Sequence, residues 1–393
     1  MADRLTAVVA GGGIAGLASA LALAQADWHA TVLERAPAFG EVGAGLGFTS
    51  NGMAALAALG VDEAVRAAGH LAPHAGYQNA AGRWLLRIPE TRSLRAVTTI
   101  CGVHRQRLHA ALRHAAEAAG AELVTGAEVT GVSPGVPGGE AATVTWRAST
   151  GEHAQEAALV VAADGVGSTI RAQVFPDARP CYAGSTSWRA VIPDSAFDGR
   201  LVEVWGPGTE FGALRVSDSE IYWYGEFLHP EGASFADELA AARGQFADWA
   251  PWIRDIVAAT NAVQLMRHDV WHLPGGCASY VSGRVVIVGD AAHAMLPTMG
   301  QGAATALEDG VCVGRLIAAP VTAGGDLAVA LAAFDSARRP RCRKLARQAI
   351  LIARLGFELG PGWRQVARNT LVRIVPAAAA SKAGASVLGW TPP

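Results

Sequence analysis

The chain has 393 residues, of which 51% are hydrophobic and 17% are charged, and its formal net charge is −2. This length predicts two domains, and the composition, with 46 glycines, excludes a disordered or fibrous protein. The balanced charge gives no reason to expect a nucleic acid or an acidic membrane surface as a partner.

The first predicted elements are a buried strand, a glycine turn and a helix in residues 5–24, LTAVVAGGGIAGLASALALA. A secretion signal is the alternative interpretation, but three consecutive glycines do not suit an apolar signal helix. The spacing Gly11-x-Gly13-x-x-Gly16 is a dinucleotide fingerprint. Gly11 permits a tight turn, Gly13 lets the backbone approach a pyrophosphate, and Gly16 lets the helix pack on the strand. The fingerprint therefore predicts phosphate binding at the helix N-terminus.

A second strand, ATVLE, ends at Glu34, 18 residues after Gly16. A carboxylate at this offset accepts hydrogen bonds from ribose hydroxyls and repels a 2′-phosphate, which favours FAD or NAD over NADP. No second fingerprint follows, because Gly206-Pro-Gly208 has the wrong spacing and is predicted to be a hairpin turn.

Two further motifs place small and acidic residues directly after apolar strands. Residues 159–171, LVVAADGVGSTIR, contain Asp164-Gly165, and residues 285–302 contain Gly289-Asp290, Pro297 and Gly300-Gln301-Gly302. Together with the fingerprint, these motifs resemble those of the group A flavoprotein monooxygenases, the single-component aromatic hydroxylases. The similarity extends through VHRQRLHAAL and ALEDG. It is greatest to the salicylate-hydroxylase-like, urate-hydroxylase-like and zeaxanthin-epoxidase-like branch.

The resemblance implies an α/β fold: a Rossmann-like FAD-binding domain with an inserted β-sheet substrate domain and C-terminal helices, as in para-hydroxybenzoate hydroxylase. We expect the FAD-binding domain at 1–75, 98–178 and 272–335, the substrate domain at 76–97 and 179–271, and the helical segment at 336–393. The segments GYQNA and RWLLRIP are expected to join the substrate sheet.

The resemblance also assigns roles to cofactor residues. Glu34 contacts the adenosine ribose, Arg105 contacts FAD near the pyrophosphate, and Asp290 binds the ribityl chain. The backbone at Val129 meets the adenine, and the amides of residues 300–303 face the isoalloxazine. The full predicted set is Gly11, Gly13, Ile14, Ala15, Gly16, Glu34, Arg35, Gly45, Arg105, Val129, Asp164, Asp290, Pro297, Gly300, Gln301, Gly302 and Ala303.

Structural alternatives remain open for three polar residues of these motifs. Asp164 could cap the turn that follows it. Arg171 could form a structural ion pair. His293, a single histidine in a tight loop, is interpreted as structural before it is considered a base.

The middle of the chain, from about residue 180 to 271, is predicted to be a sheet that carries an aromatic substrate pocket. The candidate substrate contacts are Trp188, Arg189, Arg215, Tyr222 and Tyr224. In EIYWYGEF, strand alternation places Tyr222 and Tyr224 on one face and Ile221 and Trp223 on the other. For each tryptophan, ordinary sheet core is the competing interpretation.

The C-terminal part is predicted to be helical from about residue 325. Its basic cluster RRPRCRK (338–344) is interpreted as a solvated helix start rather than a nucleic-acid site. The last segment is neither long nor apolar enough to span a membrane. The odd number of cysteines and the lack of a CxxC spacing argue for reduced thiols in a cytoplasmic protein, and against disulfides and zinc. The five are Cys101, Cys181, Cys277, Cys312 and Cys342.

The activity implied by the resemblance is an FAD-dependent monooxygenase that consumes NADH or NADPH as a transient reductant. A flavin C4a-hydroperoxide would insert one atom of O₂ into an aromatic, phenolic substrate. In the family, the residue matching Pro297 lines the flavin near the reacting carbon. Tyr224, Tyr222 and then His293 are candidate bases. We expect no nucleic-acid partner and no integral membrane association; monomer and homodimer both remain open.

Epoxidation or N-hydroxylation by the same oxidant, and a non-enzymatic flavin-binding redox protein, remain alternatives. Flavin-dependent halogenation is disfavoured, because the segment from Trp188 to Pro193 lacks the second tryptophan of the halogenase motif.

Overall fold

The computed structural model describes residues 4–40, 43–89, 91, 98–194, 197–374 and 388–393. The strands of these ranges are β1 (Thr6–Ala10), β2 (His29–Glu34), β3 (Gly45–Phe48), β4 (His70–Asn79), β5 (Trp84–Arg87), β6 (Thr99–His104), β7 (Glu122–Thr125), β8 (Glu128–Ser133), β9 (Ala142–Ala148), β10 (Gly151–Ala157), β11 (Leu159–Ala162), β12 (Cys181–Pro193), β13 (Leu201–Gly206), β14 (Thr209–Arg215), β15 (Glu220–Leu228), β16 (Met266–His272), β17 (Val281–Ser282) and β18 (Val285–Ile287). The α-helices are α1 (Ile14–Gln25), α2 (Ser50–Ala58), α3 (Asp62–Ala68), α4 (Arg105–Ala118), α5 (Thr169–Val174), α6 (Glu238–Gln245), α7 (Pro251–Ala259), α8 (Asp290–His293), α9 (Gly302–Cys312), α10 (Ala319–Thr322), α11 (Leu327–Leu355) and α12 (Trp363–Ile374). A 3₁₀ turn, Pro297–Met299, precedes α9, and a π-helical segment, Val313–Ala318, follows it.

The first layer is a six-stranded sheet in the order β17-β18-β11-β1-β2-β7. Strands β18, β11, β1, β2 and β7 run parallel, and β17 is antiparallel to β18. Parallel strands are buried on both faces, which explains why β1, β11 and β18 are almost entirely apolar. Their carboxyl ends share one edge, and each of the three motifs follows one of these ends.

The second layer is a nine-stranded sheet in the order β16-β12-β15-β14-β13-β4-β6-β3, with β5 pairing to β4. Its alternating pattern buries Phe211, Trp223 and Phe227 on the face that packs with Phe246 of the α6–α7 region. The opposite face carries Tyr222 and Tyr224, as the alternation in EIYWYGEF predicts. This sheet and the Rossmann-like layer confirm the predicted fold class.

The nine-stranded sheet continues across the predicted domain boundaries. Strands β3 and β6 belong to it, although both fall in the predicted FAD-binding ranges. Strand β4 crosses the boundary at 75/76 and β16 the boundary at 271/272, while α11 crosses 335/336. The segments GYQNA and RWLLRIP join the sheet as expected. The predicted hairpin at Gly206-Pro-Gly208 links β13 to β14.

All five cysteines are free thiols. Among the helices of the described ranges, none combines the length and apolar character that crossing a membrane requires.

We predict that Gly16→Ala destabilises the protein. A β-carbon at Gly16 would lie 1.9 Å from the carbonyl oxygen of Gly11, so the helix must move away from the strand. Overpacking of this kind costs about 1–3 kcal/mol of the free energy of unfolding. The control is Gly244→Ala in α6, where a β-carbon has no atom within 4 Å. Equal thermal midpoints for the two variants would contradict the close approach.

Candidate functional site

The glycine turn leaves backbone donors at the start of α1. Gly11 has φ +103°, a conformation suited to glycine, and its N–H donates to the carbonyl of Leu33 at 2.8 Å. Helix α1 begins at Ile14, and within the described chain no side chain caps it. The first-turn amides, including those of Ile14 and Ala15, are therefore available to a pyrophosphate.

Glu34 lies at the end of β2, beside the glycine turn. Its Oε2 accepts from the N–H of Gly12 and its Oε1 from the N–H of Ala36, both at 2.8 Å. Ala127 donates its N–H to the Glu34 carbonyl at 2.8 Å, which brings the strand that bears Val129 to the same edge. Arg35 is exposed next to them. The predicted ribose and adenine positions are thus adjacent.

Asp164 caps the helix that follows it with one carboxylate oxygen and leaves the other without a partner in the described chain. Its Oδ2 accepts from the N–H of Ile170 at 3.1 Å, so the side chain does cap the start of α5. Its Oδ1 is buried and has no hydrogen-bond partner among the described residues. The Cα of Asp164 is 3.3 Å from where a β-carbon on Gly11 would be. A buried carboxylate oxygen beside the glycine turn fits a polar group of a bound dinucleotide.

Arg171 is structural, but it bonds to backbone carbonyls. Its guanidinium donates to Val166 at 2.5 Å, Ala178 at 3.1 Å and Ala291 at 3.0 Å. Burial lowers the pKa of Arg171 from its ordinary value. Because Ala291 follows Asp290, this residue ties the loop of the second motif to the loop of the third.

The third motif presents Asp290 beside the fingerprint helix. Gly289 has φ +58°, and a β-carbon there would lie 2.7 Å from the β-carbon of Ala15. Asp290 is exposed as the first residue of α8. The fold therefore brings Asp290 next to residues 13–16, as a clamp on one elongated cofactor requires.

His293 has a buried structural partner, which argues against its use as a base. It is 3% exposed, and its Nε2 lies 2.6 Å from Oδ2 of Asp309. Burial lowers its pKa, but Cys342 and Asp309 raise it further, and the net result is well above the ordinary histidine value. The same Asp309 oxygen accepts from the N–H of Gly289 at 2.8 Å. His293 thus helps to fix the turn that carries Asp290.

The basic cluster 338–344 lies inside α11, so its interpretation as a solvated helix start is wrong. Arg338 is 1% exposed, and it donates to Asp309 at 2.6 Å and to Glu308 at 2.7 Å. Arg341 donates to Glu308 at 2.6 Å. Sequence reasoning missed this network because its partners on α9 and α11 are about 30 residues apart.

The segment 297–303 forms the predicted helix start. Gly300 has φ +60° after the 3₁₀ turn at Pro297, and α9 begins at Gly302. Gln301 is buried, and its Oε1 accepts from Asn51 at 2.9 Å. In the described ranges no side chain caps α9, so the amides of Gly302 and Ala303 point outward, where the positive helix end favours an anionic flavin edge.

Tyr222 of β15 lies against Gly45, a predicted cofactor residue on β3 of the same sheet. A β-carbon at Gly45 would lie 2.2 Å from Cγ of Tyr222, so the ring rests directly on β3. Burial raises the pKa of Tyr222, while the nearby charges of Arg189 and Arg105 lower it. Gly45 and Arg105, both predicted cofactor residues, are therefore close to a predicted substrate residue.

Two buried glutamates face each other on the same side of the sheet, and sequence reasoning missed both. Glu210 of β14 is paired in register with Glu226 of β15. Glu226 accepts from Ser185 Oγ at 2.6 Å. Burial raises the pKa of Glu226 to about 7, and burial together with the charges of Glu226 and Glu203 raises the pKa of Glu210. The strand alternation that places Tyr222 and Tyr224 on one face also places Glu226 there, so the sequence does contain a signal for this residue.

Residues Gly212 and Glu203 on the neighbouring strands hold Tyr224 in place. Its ring covers Gly212, where a β-carbon would lie 2.4 Å from Cζ, and its hydroxyl donates to Glu203 at 3.3 Å. Glu203 also pairs with His74 at 3.2 Å. Arg189 is opposite Tyr224 in register.

Trp188 and Arg215 have other partners and are poor candidates for substrate contact. Trp188 is 1% exposed on the opposite face of the sheet, and its Nε1 donates to Glu238 at 2.7 Å. The Arg215 guanidinium donates to three backbone carbonyls, those of Asp194, Phe197 and Asp218. Strand alternation already places Trp188 and Arg189 on opposite faces of the sheet. The backbone carbonyls that bind Arg215, in contrast, come together only in the folded chain.

Comparison with known proteins adds independent findings. A family model described as an FAD binding domain matches residues 4–349. Aurachin C monooxygenase/isomerase of Stigmatella aurantiaca is 33% identical over 360 residues, or 91% of each chain. The 2-heptyl-3-hydroxy-4(1H)-quinolone synthase of Pseudomonas aeruginosa is 33% identical over 382 residues, or 95% of this chain and 94% of the relative. The structure of Klebsiella pneumoniae HpxO complexed with FAD and uric acid aligns with a TM-score of 0.84 at 23% identity, over 98% and 96% of the chains, which shows a shared fold.

We predict that Asp290→Ala weakens FAD binding without unfolding the protein. Losing a charged acceptor for ribityl hydroxyls should raise the FAD dissociation constant about tenfold or more. Flavin fluorescence titration of apoprotein measures this constant, and Asp255→Ala on the exposed side of α7 is the control. An unchanged constant for Asp290→Ala would contradict the role of this residue.

We predict that Arg338→Met destabilises the protein by about 3–5 kcal/mol, because it leaves Glu308 and Asp309 buried with less positive charge. The control is Arg339→Met on the same helix, which removes a partly exposed pair with Asp335. That pair should contribute about 0–1 kcal/mol. Urea unfolding compares the two variants, and similar losses would show that burial does not set the strength of the network.

Proposed function

The chain belongs to the FAD-binding monooxygenase family, and we propose that it hydroxylates an aromatic or nitrogen-heteroaromatic small molecule, using NADH or NADPH and O₂. The observation that carries this proposal is the Glu210–Glu226 pair, which shares one face of the sheet with Tyr222 and Tyr224. That face meets Gly45 and Arg105, two candidate cofactor residues.

FAD fits the described residues, and when bound it supplies electron transfer from NAD(P)H and activation of O₂. The chain's own residues bind and orient it. The amides at the start of α1 hold its phosphates, Glu34 its ribose, and Asp290 its ribityl chain. The uncapped start of α9 favours negative charge on the flavin edge. Pro297 would line the flavin near the substrate.

The acid pair would accept a proton from the substrate. Two carboxylates that face each other in a buried site cannot both ionise easily, so the pair keeps a proton near neutral pH. At a pKa of about 7, Glu226 is suited to take a proton from a ring O–H or N–H. Proton removal makes the ring more electron-rich and therefore more reactive toward an electrophilic oxygen.

The same face favours substrates that donate hydrogen bonds over aromatic acids. Glu203, Glu210 and Glu226 offer acceptors, whereas an aromatic carboxylate would add another negative charge to a buried acidic cluster. The quinolone named in one 33% identical relative supports a heterocyclic substrate. Arg189 of β12 and Tyr224 of β15, which are paired in register, would orient the substrate ring.

A substrate screen tests the proposed function. The purified protein with FAD is tested against 4-quinolones, phenols and aromatic carboxylates for stimulated NAD(P)H oxidation, and the products are analysed after reaction under ¹⁸O₂. We expect stimulation by quinolones or phenols and one ¹⁸O atom in the product. Flavin that neither nicotinamide reduces would favour a flavin-binding redox protein. An epoxide product would show that the reaction is epoxidation, and an N-oxygenated product would show that it is N-hydroxylation.

We predict that Glu226→Gln removes an ionisation near pH 7 from the pH profile. A base must be deprotonated, so wild-type activity should fall as the pH drops through about 7. In Glu226→Gln this dependence should disappear and kcat should drop about 100-fold or more.

The matched variant is Ser185→Ala. The Ser185 hydrogen bond lowers the pKa of Glu226, so its loss should move the same ionisation to higher pH. Both changes are measured as the rate of product formation at pH values from about 5 to about 9. An unchanged ionisation in Glu226→Gln, with normal FAD content, would exclude Glu226 as the base.

A further inference from the structure

A small cavity lies between α11 and the loop that precedes β17. Its volume is about 40 Å³, and its lining includes Tyr280, His293, Cys342 and Arg343. Exposed Pro274 and Arg347 stand at its opening to the surface. None of the residues predicted to hold FAD lines it, so this cavity is separate from the cofactor site.

Three polar groups that line this cavity are buried and have no hydrogen-bond partner among the described residues. They are the hydroxyl of Tyr280, Nδ1 of His293 and Nε of Arg343. Tyr280 and His293 are 1% and 3% exposed. The terminal nitrogen of Arg343 donates to the Cys277 carbonyl at 2.8 Å, which holds the guanidinium in place. Leaving such groups unpaired is costly, so the cavity is built to receive a polar occupant.

The charge around the cavity is positive. Behind it, Glu308 and Asp309 are balanced by Arg338 and Arg341. His293 directs Nε2 at Asp309, which leaves Nδ1 to donate into the cavity when the ring is protonated. Arg343 adds a second positive charge, and no described lining residue is an aspartate or glutamate.

A metal ion is a poor match for the same residues. Ligand atoms of His293, Asp309 and Cys342 do lie within 4.8 Å of one another. Arg338, however, donates to Asp309 at 2.6 Å and to the Cys342 sulfur at 3.5 Å. A divalent cation would lie against this buried guanidinium, and that repulsion is strong at low dielectric.

We propose that this cavity binds one small monovalent inorganic anion of the chloride class, and that the anion strengthens FAD binding. A cavity of about 40 Å³ has room for about three waters or one such anion, and it is too small for a nucleotide. The donors Tyr280, His293 and Arg343 supply an anion with hydrogen bonds and charge.

The link to FAD runs through Asp309. An anion at Nδ1 holds the protonated His293 ring in place, with Nε2 directed at Asp309 Oδ2. That oxygen also holds the N–H of Gly289, the residue before Asp290. Because linkage is reciprocal, anion and FAD should each raise the affinity for the other. Of the other titratable groups nearby, burial raises the pKa of Cys277 to about 11 and that of Tyr280 well above its ordinary value, so both are neutral at neutral pH.

Bromide crystallography and FAD titration test the proposal together. Holoenzyme crystals soaked in sodium bromide should show anomalous bromide density within hydrogen-bonding distance of Tyr280 Oη and His293 Nδ1. Apoprotein titrated with FAD in sodium chloride should bind about fivefold or more tightly than in sodium gluconate at equal ionic strength. Tyr280→Phe should reduce this ratio, and the control Arg354→Gln, on an exposed position of α11 outside the cavity, should not.

Water density alone in the cavity would overturn the proposal, as would equal FAD affinity in chloride and gluconate. Bromide density without any anion effect on FAD affinity would indicate an adventitious ion only. If Tyr280→Phe fails to fold, the wild-type density and the wild-type salt comparison still decide the question. Neither measurement depends on finding a substrate.

Discussion

The position of Asp290 depends on one buried ion network. Asp309 accepts from Arg338, from His293 and from the N–H of Gly289, and all three donors are within 2.8 Å. Removing one charge from such a network leaves another unpaired in a low dielectric, so the network favours a single arrangement of α8, α9 and α11. The long helix α11 thereby supports the turn that carries Asp290.

The cofactor site is possible because parallel strands align their carboxyl ends. β1, β11 and β18 are neighbours in the sheet, so motifs that are more than 100 residues apart in sequence meet at one edge. Close packing requires glycine at several points: Gly16 against Gly11, Gly289 against Ala15, and Gly45 against Tyr222. The last contact lies within the nine-stranded sheet, where Tyr222 of β15 packs on Gly45 of β3.

The sequence predicted the elements whose signals are local. The glycine fingerprint, the strand that ends at Glu34, the helix that begins after Gly300 and the alternation around Tyr222 all follow from short-range periodicity and turn chemistry. The Glu210–Glu226 pair depends on register between β14 and β15, and the Arg338 network on contacts between distant helices. The local sequence of 338–344 predicts a solvated helix start, because the pairing of Arg338 with Glu308 and Asp309 depends on residues about 30 positions away. Residue type alone favours Trp188 and Arg215 as ligand contacts, because it does not reveal which face of the sheet or which backbone carbonyls a side chain meets.

A crystal structure of the protein with bound FAD tests the central claim most directly, since it locates the flavin relative to both sheets. We expect ribityl hydroxyls within about 2.6–3.2 Å of the Asp290 carboxylate and the isoalloxazine edge at the first amides of α9. The opposite side of the ring should face Tyr222 and Glu226. An isoalloxazine directed away from the nine-stranded sheet, or an Asp290 carboxylate with no flavin contact, would contradict the account.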